Sequence, residues 1–488
     1  MIGARGRGGQ RHVAVAGALI AWLAGCAPQP APDALVMGIA QDVLTLDPRR
    51  ASDAASARAA RLIYQRLVDI GPDWRARPAL ATWEAVTPTR YRFRLREHAR
   101  FHDGTPLTAH DVAATYASLL APGAPYALRS ELAGIRAVTA TDARTLDITL
   151  GAPDPLLPGR LTLGILPARV AQGRFEAIGS GPLRVREQHP GRLTLARADG
   201  LTVVLRTVPD PLTRALMLRQ GTLDLAQNDF PPELLPHLSA HGLRVVRAPG
   251  SGFHYLGLSC TDAVTGRPAL RQALALALDR PALIGALLGG AARPADSVLP
   301  PGHWARADLE PWPHDPGRAR HLLRAAGLQG TTVTLKTSTD PQRVRIATAI
   351  AAQLQAVGLR VVLRPLEWGT FYADIQAGRF QLYTLAWVGV TQPDILRSLY
   401  HSAAVPPAGL NRGHCGDATL DAAIERAFAG PPGAGPPDPG ALRAVQARVH
   451  AELPAIPLWN EDHVAVLGPR VAGYDLRPDG AWDALAHV

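Results

Sequence analysis

Lysine is almost missing from this chain, since Lys336 is the single lysine among 51 basic residues. A Ser-x-x-Lys nucleophile is excluded because Val333 stands three positions before that lysine, and no phosphate-binding loop is present either. The formal net charge of +10 therefore comes from arginine, which is scattered along all 488 residues without a dense basic stripe. No helix-turn-helix, zinc-finger or RNA-binding signature accompanies it. This charge predicts a solvated surface and no nucleic-acid partner.

Cysteine is also rare, with only Cys26, Cys260 and Cys415 in the sequence. No paired Cys-x-x-Cys and no His-Glu-x-x-His motif occurs, and the sixteen histidines lack the spacing of a zinc-binding helix. His414 beside Cys415 is the best metal candidate, and a weak one. The sequence thus predicts no metal, no cofactor and no enzyme. Cys260 and Cys415 are able to form a bridge in an oxidising compartment, but we predict two isolated buried thiols.

Long uninterrupted hydrophobic runs are missing as well. The apolar segment 267–288 contains Arg271, Asp279 and Arg280, which argue against a membrane span. A second apolar segment, residues 13–24, is too short to span a bilayer comfortably.

The amino terminus nevertheless has the features of an export signal. The short apolar segment follows three arginines and ends in Leu23-Ala24-Gly25-Cys26, which resembles a bacterial lipobox. A plain signal peptide with an incidental cysteine is the alternative, and the small residues before Cys26 favour lipidation of that cysteine. We therefore expect a signal peptide at 1–25, a Pro/Ala-rich tether at 26–34 and a membrane-anchored lipoprotein that faces the periplasm.

The length and the order of the predicted elements indicate two lobes. A chain of 488 residues is too long for one compact core. A strand–helix–strand pattern covers residues 201–226, and a larger version covers 332–387. Such units imply crossover connections and helices packed on a sheet, so one group in each half predicts two α/β lobes.

The segment 90–120 carries the most specific signal. Tyr91, Phe93 and Leu95 alternate with arginines as in a half-buried strand, and a His-Asp-Gly-Thr-Pro turn follows. Thr108 and Asp111 then have the spacing of a helix amino-terminal cap. Locally this predicts a strand, a tight turn and a capped helix.

The wording of this segment, FHDGTPLTAHDV, closely resembles the signature of bacterial solute-binding protein family 5, the peptide- and nickel-binding proteins that supply ABC importers. Further segments are similar to that family in the same order along the mature chain. They are residues 44–48, 80–84, 178–183, 253–258, 291–302, 409–421 and 454–459.

The resemblance implies a two-lobed α/β clamshell of the periplasmic-binding-protein type, in the large peptide-binding class, with a hinge between the lobes. It places lobe I at 35–257 with a subdomain at 49–176, lobe II at 258–460 and a return to lobe I at 461–488. It implies a monomer that captures peptides or similar small solutes by hinge closure and delivers them to an ABC permease and its ATPase.

The resemblance also implies where the ligand binds. It points to Tyr255 on the hinge strand, to Trp387, Gly389 and Asp394 after a lobe II strand, and to Asn411 with Arg412. Trp387 either forms an apolar wall of the site or packs into the core at a strand end, and Gly389 lets a ligand approach the backbone.

The chain departs from the family pattern where peptide binders commonly place an Asp that pairs with the ligand amine. Val390 and Thr391 occupy those positions, and a buried ammonium without a carboxylate partner is costly. Peptides with a free amine are therefore in doubt, and N-blocked peptides, small amphiphiles, glycosides and metal chelates stay open. A sensory receptor with the same clamshell is a further alternative. An exported enzyme is disfavoured, because no nucleophile–base or metal spacing is present.

Overall fold

A computed structural model describes residues 34–129, 131–429 and 437–488. The predicted signal peptide and the predicted lipidation site, Cys26, lie outside these residues. Among the helices of the described ranges, none combines the length and the apolar character that a membrane crossing requires.

Strands and helices alternate through most of the chain. The strands are β1 Ala34–Ile39, β2 Val68–Ile70, β3 Ala76–Pro78, β4 Ala81–Thr87, β5 Arg90–Leu95, β6 Ile135–Ala140, β7 Thr145–Leu150, β8 Leu183–His189, β9 Arg192–Arg197, β10 Thr202–Thr207, β11 Leu225–Gln227, β12 Arg244–Leu258, β13 Ala292–Pro294, β14 Thr332–Ser338, β15 Arg360–Leu366, β16 Leu382–Trp387 and β17 Ala455–Leu467. The helices are α1 Ala54–Ile63, α2 Ala109–Leu120, α3 Leu157–Arg160, α4 Ala168–Ala171, α5 Pro211–Arg219, α6 Leu234–Ala240, α7 Pro268–Ala277, α8 Arg280–Leu288, α9 Pro316–Ala325, α10 Pro341–Ala356, α11 Trp368–Gln376, α12 Ile395–Tyr400, α13 Ala418–Ala429 and α14 Pro439–Glu452.

Two long antiparallel strands, β12 and β17, join the two lobes. The path through the large sheet is β15-β14-β16-β12-β17-β11-β1-β10-β9-β8, with β13 beside β17. At one end β17 pairs with β11 of lobe I, and at the other β12 pairs with β16 of lobe II. These paired strands are the physical hinge, because the chain passes between the lobes along them.

Each lobe contains the crossover unit that the sequence predicts. In lobe I, β1 lies between β10 and β11 and is parallel to both. In lobe II, β14 lies between β15 and β16 and is parallel to both. In the C-terminal segment, Tyr474, Trp482 and Leu485 join the apolar core that includes α1 and β1.

A smaller four-stranded sheet, in the order β4-β5-β7-β6, forms a subdomain with α2. Its apolar core runs from Leu67 to Ile165. The predicted cap of α2 is confirmed, because Asp111 Oδ2 accepts hydrogen bonds of 2.8 Å from the Thr108 amide and from the Thr108 hydroxyl. By contrast α1, which precedes the subdomain, packs in the lobe I core. The exact domain limits stay a prediction.

The apolar segment 267–288 forms two helices, α7 and α8. Asp279 lies at the break and its side chain accepts the Ala282 amide, which caps α8. Arg280 at the start of α8 is only 2% exposed. It donates to the carbonyl oxygens of Pro457 (2.8 Å), Ala275 (3.1 Å), Leu278 (3.3 Å) and Trp312 (3.1 Å).

The prediction of two isolated thiols is wrong, because Cys260 and Cys415 form a disulfide across 155 positions of sequence. The Cys260 amide donates to the Gly413 carbonyl, which holds the loop before Cys415 against the end of β12. Arg271 Nη1 lies 3.3 Å from the Cys260 sulfur. The oxidised Cys415 cannot supply a thiolate, so it offers His414 no partner for a metal site.

We expect the disulfide to stabilise lobe II by about 2–4 kcal/mol, because it restricts a long loop of the unfolded chain. Reductant should lower the thermal midpoint of the wild type but leave a Cys260→Ser/Cys415→Ser variant unchanged. Alkylation of either cysteine in the unreduced, denatured protein, detected by mass spectrometry, would contradict the pairing.

Candidate ligand site between the lobes

A cavity of about 740 Å³ lies at the hinge and is lined by both lobes. Several of its lining residues lie just after the carboxyl ends of parallel strands. Asn228 and Asp229 come directly after β11, and Val388 with Gly389 follows β16. Arg343 lies in the first turn of α10, the helix that follows β14. Crevices at the carboxyl ends of parallel strands are the usual ligand sites of open α/β sheets, and this volume is typical of a small-molecule site.

The lobe I wall contributes one exposed carboxylate on an unusual loop. Asn228 and Asp229 have φ values of 61° and 58°, a left-handed conformation that few residues other than glycine adopt. Arg214 holds this loop, because its guanidinium donates to the backbone carbonyl of Asp229, to that of Val208 (2.6 Å) and to that of Pro209 (2.8 Å). Such fixed, uncommon backbone geometry is frequent at functional sites.

Asn228 connects this loop to the hinge. Its Oδ1 accepts from the Val464 amide at 3.0 Å, and its Nδ2 lies 3.2 Å from His463 Nδ1. His463 Nε2 lies 3.1 Å from the Pro478 carbonyl, which can only accept, so the ring proton is on Nε2. Burial lowers the pKa of His463, and the nearby Arg58 cation lowers it further, so this ring is neutral at pH 7.

A row of three side chains crosses the hinge strands at the cavity floor. Arg343 Nη1 lies 3.1 Å from His254 Nδ1, and His254 Nε2 lies 2.8 Å from Glu461 Oε2. Arginine can only donate, so His254 accepts at Nδ1 and donates from Nε2 to the carboxylate. Burial raises the pKa of Glu461, but the His254 hydrogen bond and the nearby Arg343 cation help to outweigh it and hold that pKa below its usual value.

Gly389, for which the family resemblance implies ligand contact, is one of the residues that line the cavity. Its φ is 71°, a conformation that suits glycine, and a Cβ added there would meet nothing within 4 Å. The neighbouring Val388 also lines the cavity and is 80% exposed. An apolar side chain this exposed inside a cleft is available for contact with a ligand.

Four other predicted ligand residues lie together on the opposite face of the hinge sheet. The rings of Tyr255 and Trp387 stack with centroids 6.2 Å apart, and Arg412 lies 4.2 Å above the Trp387 ring. Arg412 Nη1 also donates to the Tyr255 hydroxyl at 3.1 Å. Asn411 folds the local loop, because its Nδ2 donates to the carbonyls of His401 and Cys415. These residues border a separate cavity of about 30 Å³, which has room for about one water molecule.

The carboxylate of Asp394 is paired with an arginine of the protein itself, Arg160. Its carboxylate accepts from Arg160 Nη2 at 2.5 Å, and Arg160 Nε also bonds Asp154 at 3.0 Å. Arg160 belongs to the subdomain and Asp394 to lobe II. This ion pair therefore bridges the two parts of the molecule.

A second bridge between the subdomain and lobe II surrounds His303. Trp74 Nε1 donates to the Pro301 carbonyl at 3.3 Å, and the Trp304 amide donates to the Asp73 carbonyl at 3.1 Å. The His303 ring stacks between Trp74 and Trp304, and its Nδ1 accepts the Ala305 amide at 3.1 Å. Burial lowers the pKa of His303 to about 4.

We expect this bridge to weaken in acid. Unfolded His303 takes up its proton near pH 6.5, whereas the folded residue does so near pH 4. The contribution of His303 to the free energy of unfolding is therefore fully present above pH 6.5 and falls by about 3 kcal/mol as the pH drops to 4. Urea unfolding at pH 7, 5 and 4 should show a shallower decline in His303→Phe than in the wild type. Equal slopes for the two proteins would contradict this assignment.

Arg58, Asp229, Arg343 and Glu461 line the cavity, but sequence reasoning did not select them. They come from separate segments that only the fold brings together. One signal was present, because Asp229 and Arg343 follow predicted strands of the two crossover units. No group of three or more His, Cys, Asp or Glu side chains is arranged to hold a metal ion within the described ranges.

Comparisons with known proteins agree with this architecture. The family described as bacterial extracellular solute-binding proteins, family 5 middle region, matches residues 75–405. The glutathione-binding protein GsiB of Escherichia coli strain K12 is 28% identical over 490 residues, which cover 91% of this chain and 92% of that protein.

Solved structures show the same fold. HbpA2 from Haemophilus parasuis superposes with a TM-score of 0.80 at 23% identity, covering 92% of this chain and 98% of that one. The unliganded open form of the murein tripeptide-binding protein MppA has a TM-score of 0.79 at 22% identity, with 93% and 96% covered. The predicted two-lobed α/β clamshell is therefore confirmed, and the chain belongs to the bacterial extracellular solute-binding proteins of family 5.

Proposed function

We propose that this protein is the exported binding component of an ABC importer and that it captures short peptides in the cavity at its hinge. The observation that carries the proposal is the cavity of about 740 Å³, which has charged side chains on the lobe I wall and at the hinge and an exposed apolar side chain on lobe II. A closing hinge removes water from such a site and strengthens every polar contact inside it.

The ligand contacts are divided between the lobes. Gly389 and Val388 face the ligand from lobe II. The shape of the cavity wall is fixed by residues on the opposite face of the hinge sheet, which are Trp387, Tyr255, Asn411 and Arg412. Asp394 acts through its bridge to Arg160, which lies between the subdomain and lobe II. Contacts that exist only in the closed state are the ones that drive closure.

Glutathione is the first peptide to test, because GsiB, the relative at 28% identity, carries the name of a glutathione-binding protein. Glutathione has one ammonium and two carboxylates. The cavity offers arginines from both lobes and carboxylates from lobe I and the hinge, so both signs of charge find counterparts.

Delivery requires a membrane location and a transporter. A lipid on Cys26 and the tether at 26–34 would keep the monomeric protein next to a permease and its ATPase. The closed pair of lobes presents a surface that the open form lacks, and the permease reads that surface. Labelling of the exported protein with a radioactive fatty acid, lost in Cys26→Ser, tests the anchor.

Native mass spectrometry of residues 27–488, exported and purified without denaturation, tests the function. A set of co-purified peptides, or a peptide-dependent thermal shift, is the expected result. A single non-peptide mass would assign the protein to a dedicated solute such as a metal chelate. An empty protein that shows no thermal shift with peptide pools would overturn the peptide assignment.

A further inference from the structure

Most charged side chains of the hinge cavity have partners within the protein. Arg61 bonds Asp479 at 2.8 Å and Asp483 at 2.7 Å. Arg343 and Glu461 are linked through His254. Within the described ranges, two charged side chains of the lining make neither a hydrogen bond nor an ion pair to the protein: the guanidinium of Arg58 and the carboxylate of Asp229.

Arg58 is held in place without using its hydrogen-bond donors. It projects from α1, which packs into the lobe I core, and its guanidinium lies 5.7 Å from the Trp482 ring centroid. Burial lowers the pKa of Arg58, yet an arginine stays charged at neutral pH. The side chain therefore offers a fixed cation with unused donors at the wall of the cavity.

The backbone of Asp229 is also held in place, and its carboxylate has no bonding partner among the described residues. Its loop is held by Arg214 and by the bonds of Asn228 to the hinge. Its side chain is exposed to the cavity, and the partial desolvation there raises the pKa of the carboxyl group. Arg58 is close enough to influence Asp229 electrostatically, but the two side chains do not bond each other.

Leaving both groups bare inside a closed, dry cleft would be costly, because a desolvated charge needs a partner. A ligand that carries both a carboxylate and an ammonium removes both costs at once. We propose that lobe I recognises both charged ends of a zwitterionic peptide, with Arg58 binding its carboxylate and Asp229 its ammonium, while Val388 of lobe II covers the apolar part. This inference rests on the proposed function and specifies its ligand.

The arrangement resolves the doubt raised by Val390 and Thr391. Val390 is buried in the lobe II core. Neither valine nor threonine carries a carboxylate, so these two positions of lobe II supply no partner for an ammonium. The ammonium partner lies on the opposite wall instead. Because both charged groups belong to lobe I, the open protein is able to hold the peptide before lobe II closes over it.

Calorimetric titration with trialanine, N-acetyl-trialanine and trialanine amide tests the assignment. We expect that each modification weakens binding to the wild type by about 10- to 100-fold, since each removes one charge-assisted hydrogen bond. In Asp229→Asn the acetyl group should cost almost nothing while the amide penalty remains. In Arg58→Met the pattern should be reversed, and Arg58→Lys should restore part of the amide penalty.

The variants are chosen to preserve the fold. Asparagine tolerates the left-handed conformation of position 229, and methionine keeps an apolar stem beside Trp482. Asp475→Asn and Arg318→Met, at exposed positions outside the cavity, are the matched controls and should behave as the wild type. Equal acetylation penalties in the wild type and in Asp229→Asn would overturn the ammonium assignment while leaving peptide binding intact. A wild type that binds no member of a broad peptide pool would overturn the proposed function and this inference together.

Discussion

Replacing Arg280 by Met should lower the free energy of unfolding by about 4 kcal/mol, because each buried acceptor left without its donor costs about 1–3 kcal/mol. Arg280 is 2% exposed and has no acidic partner among its bonds. Instead it ties the end of α7, the loop at Trp312 and strand β17 together through four carbonyl oxygens. Methionine fills the same space but leaves these carbonyls without a donor in a dry core.

The measurement should report on lobe II by itself, because a molecule with several cores need not unfold in one step. Hydrogen exchange of the amides in α7, α8 and the first half of β17 provides this resolution. Arg318→Met on the exposed side of α9 is the control and should change protection very little. Unchanged exchange in Arg280→Met would show that the carbonyls find other donors and that the buried cation contributes nothing net.

Burial of this cation also shows in its proton affinity. Desolvation lowers the pKa of Arg280 to about 10, which is far below the usual value for arginine. The group therefore remains charged at neutral pH, and its carbonyl partners are what make that burial tolerable. The sequence did not indicate this role, because Arg280 was there only evidence against a membrane segment.

The overall fold was predictable because its signals are local or follow one another along the chain. The alternation of 90–95, the cap at Thr108 and Asp111 and the two crossover units each depend on neighbouring residues. The resemblance to the family then ordered these units into two lobes. The disulfide was missed because 155 positions separate Cys260 from Cys415, and spacing in sequence says nothing about their distance in the fold.

The site was only partly predictable, for a reason that concerns the faces of strands. Successive side chains of a strand point to opposite faces. On β12, His254 lines the cavity, whereas Phe253 and Tyr255 lie on the other face. On and after β16, Ala386 and Val388 line the cavity, whereas Trp387 stacks on Tyr255. The family resemblance therefore pointed to Tyr255 and Trp387, which lie one position away from residues that line the larger cavity.

The charged side chains of the site come from separate segments of the chain, so no single segment predicts how they are arranged. Arg58 is on α1, Asp229 follows β11, Arg343 is on α10 and Glu461 is on β17. His254 links Arg343 to Glu461, whereas Arg214 holds the backbone of the loop that carries Asp229. This arrangement of charged side chains forms only when the hinge strands bring both lobes together.

The second large effect is expected for Arg214→Met, which should destabilise lobe I by about 3 kcal/mol and weaken ligand binding as well. Arg214 is 1% exposed, and Phe230 lies beside its guanidinium at 5.3 Å. Its donors go to three backbone carbonyls, and one of these belongs to Asp229. Without the arginine, the left-handed turn at Asn228 and Asp229 loses its main support on one side.

Stability and affinity should respond differently in this variant, and the difference identifies Arg214 as a positioning residue. At a temperature where Arg214→Met is still folded, trialanine should bind at least about tenfold more weakly, because the Asp229 carboxylate is less well fixed. The loss should shrink for N-acetyl-trialanine, which has no ammonium to place. Arg219→Met, on the same helix but exposed, should leave both quantities unchanged. If Arg214→Met lowered stability but bound both peptides as the wild type does, the turn would hold its shape without the clamp.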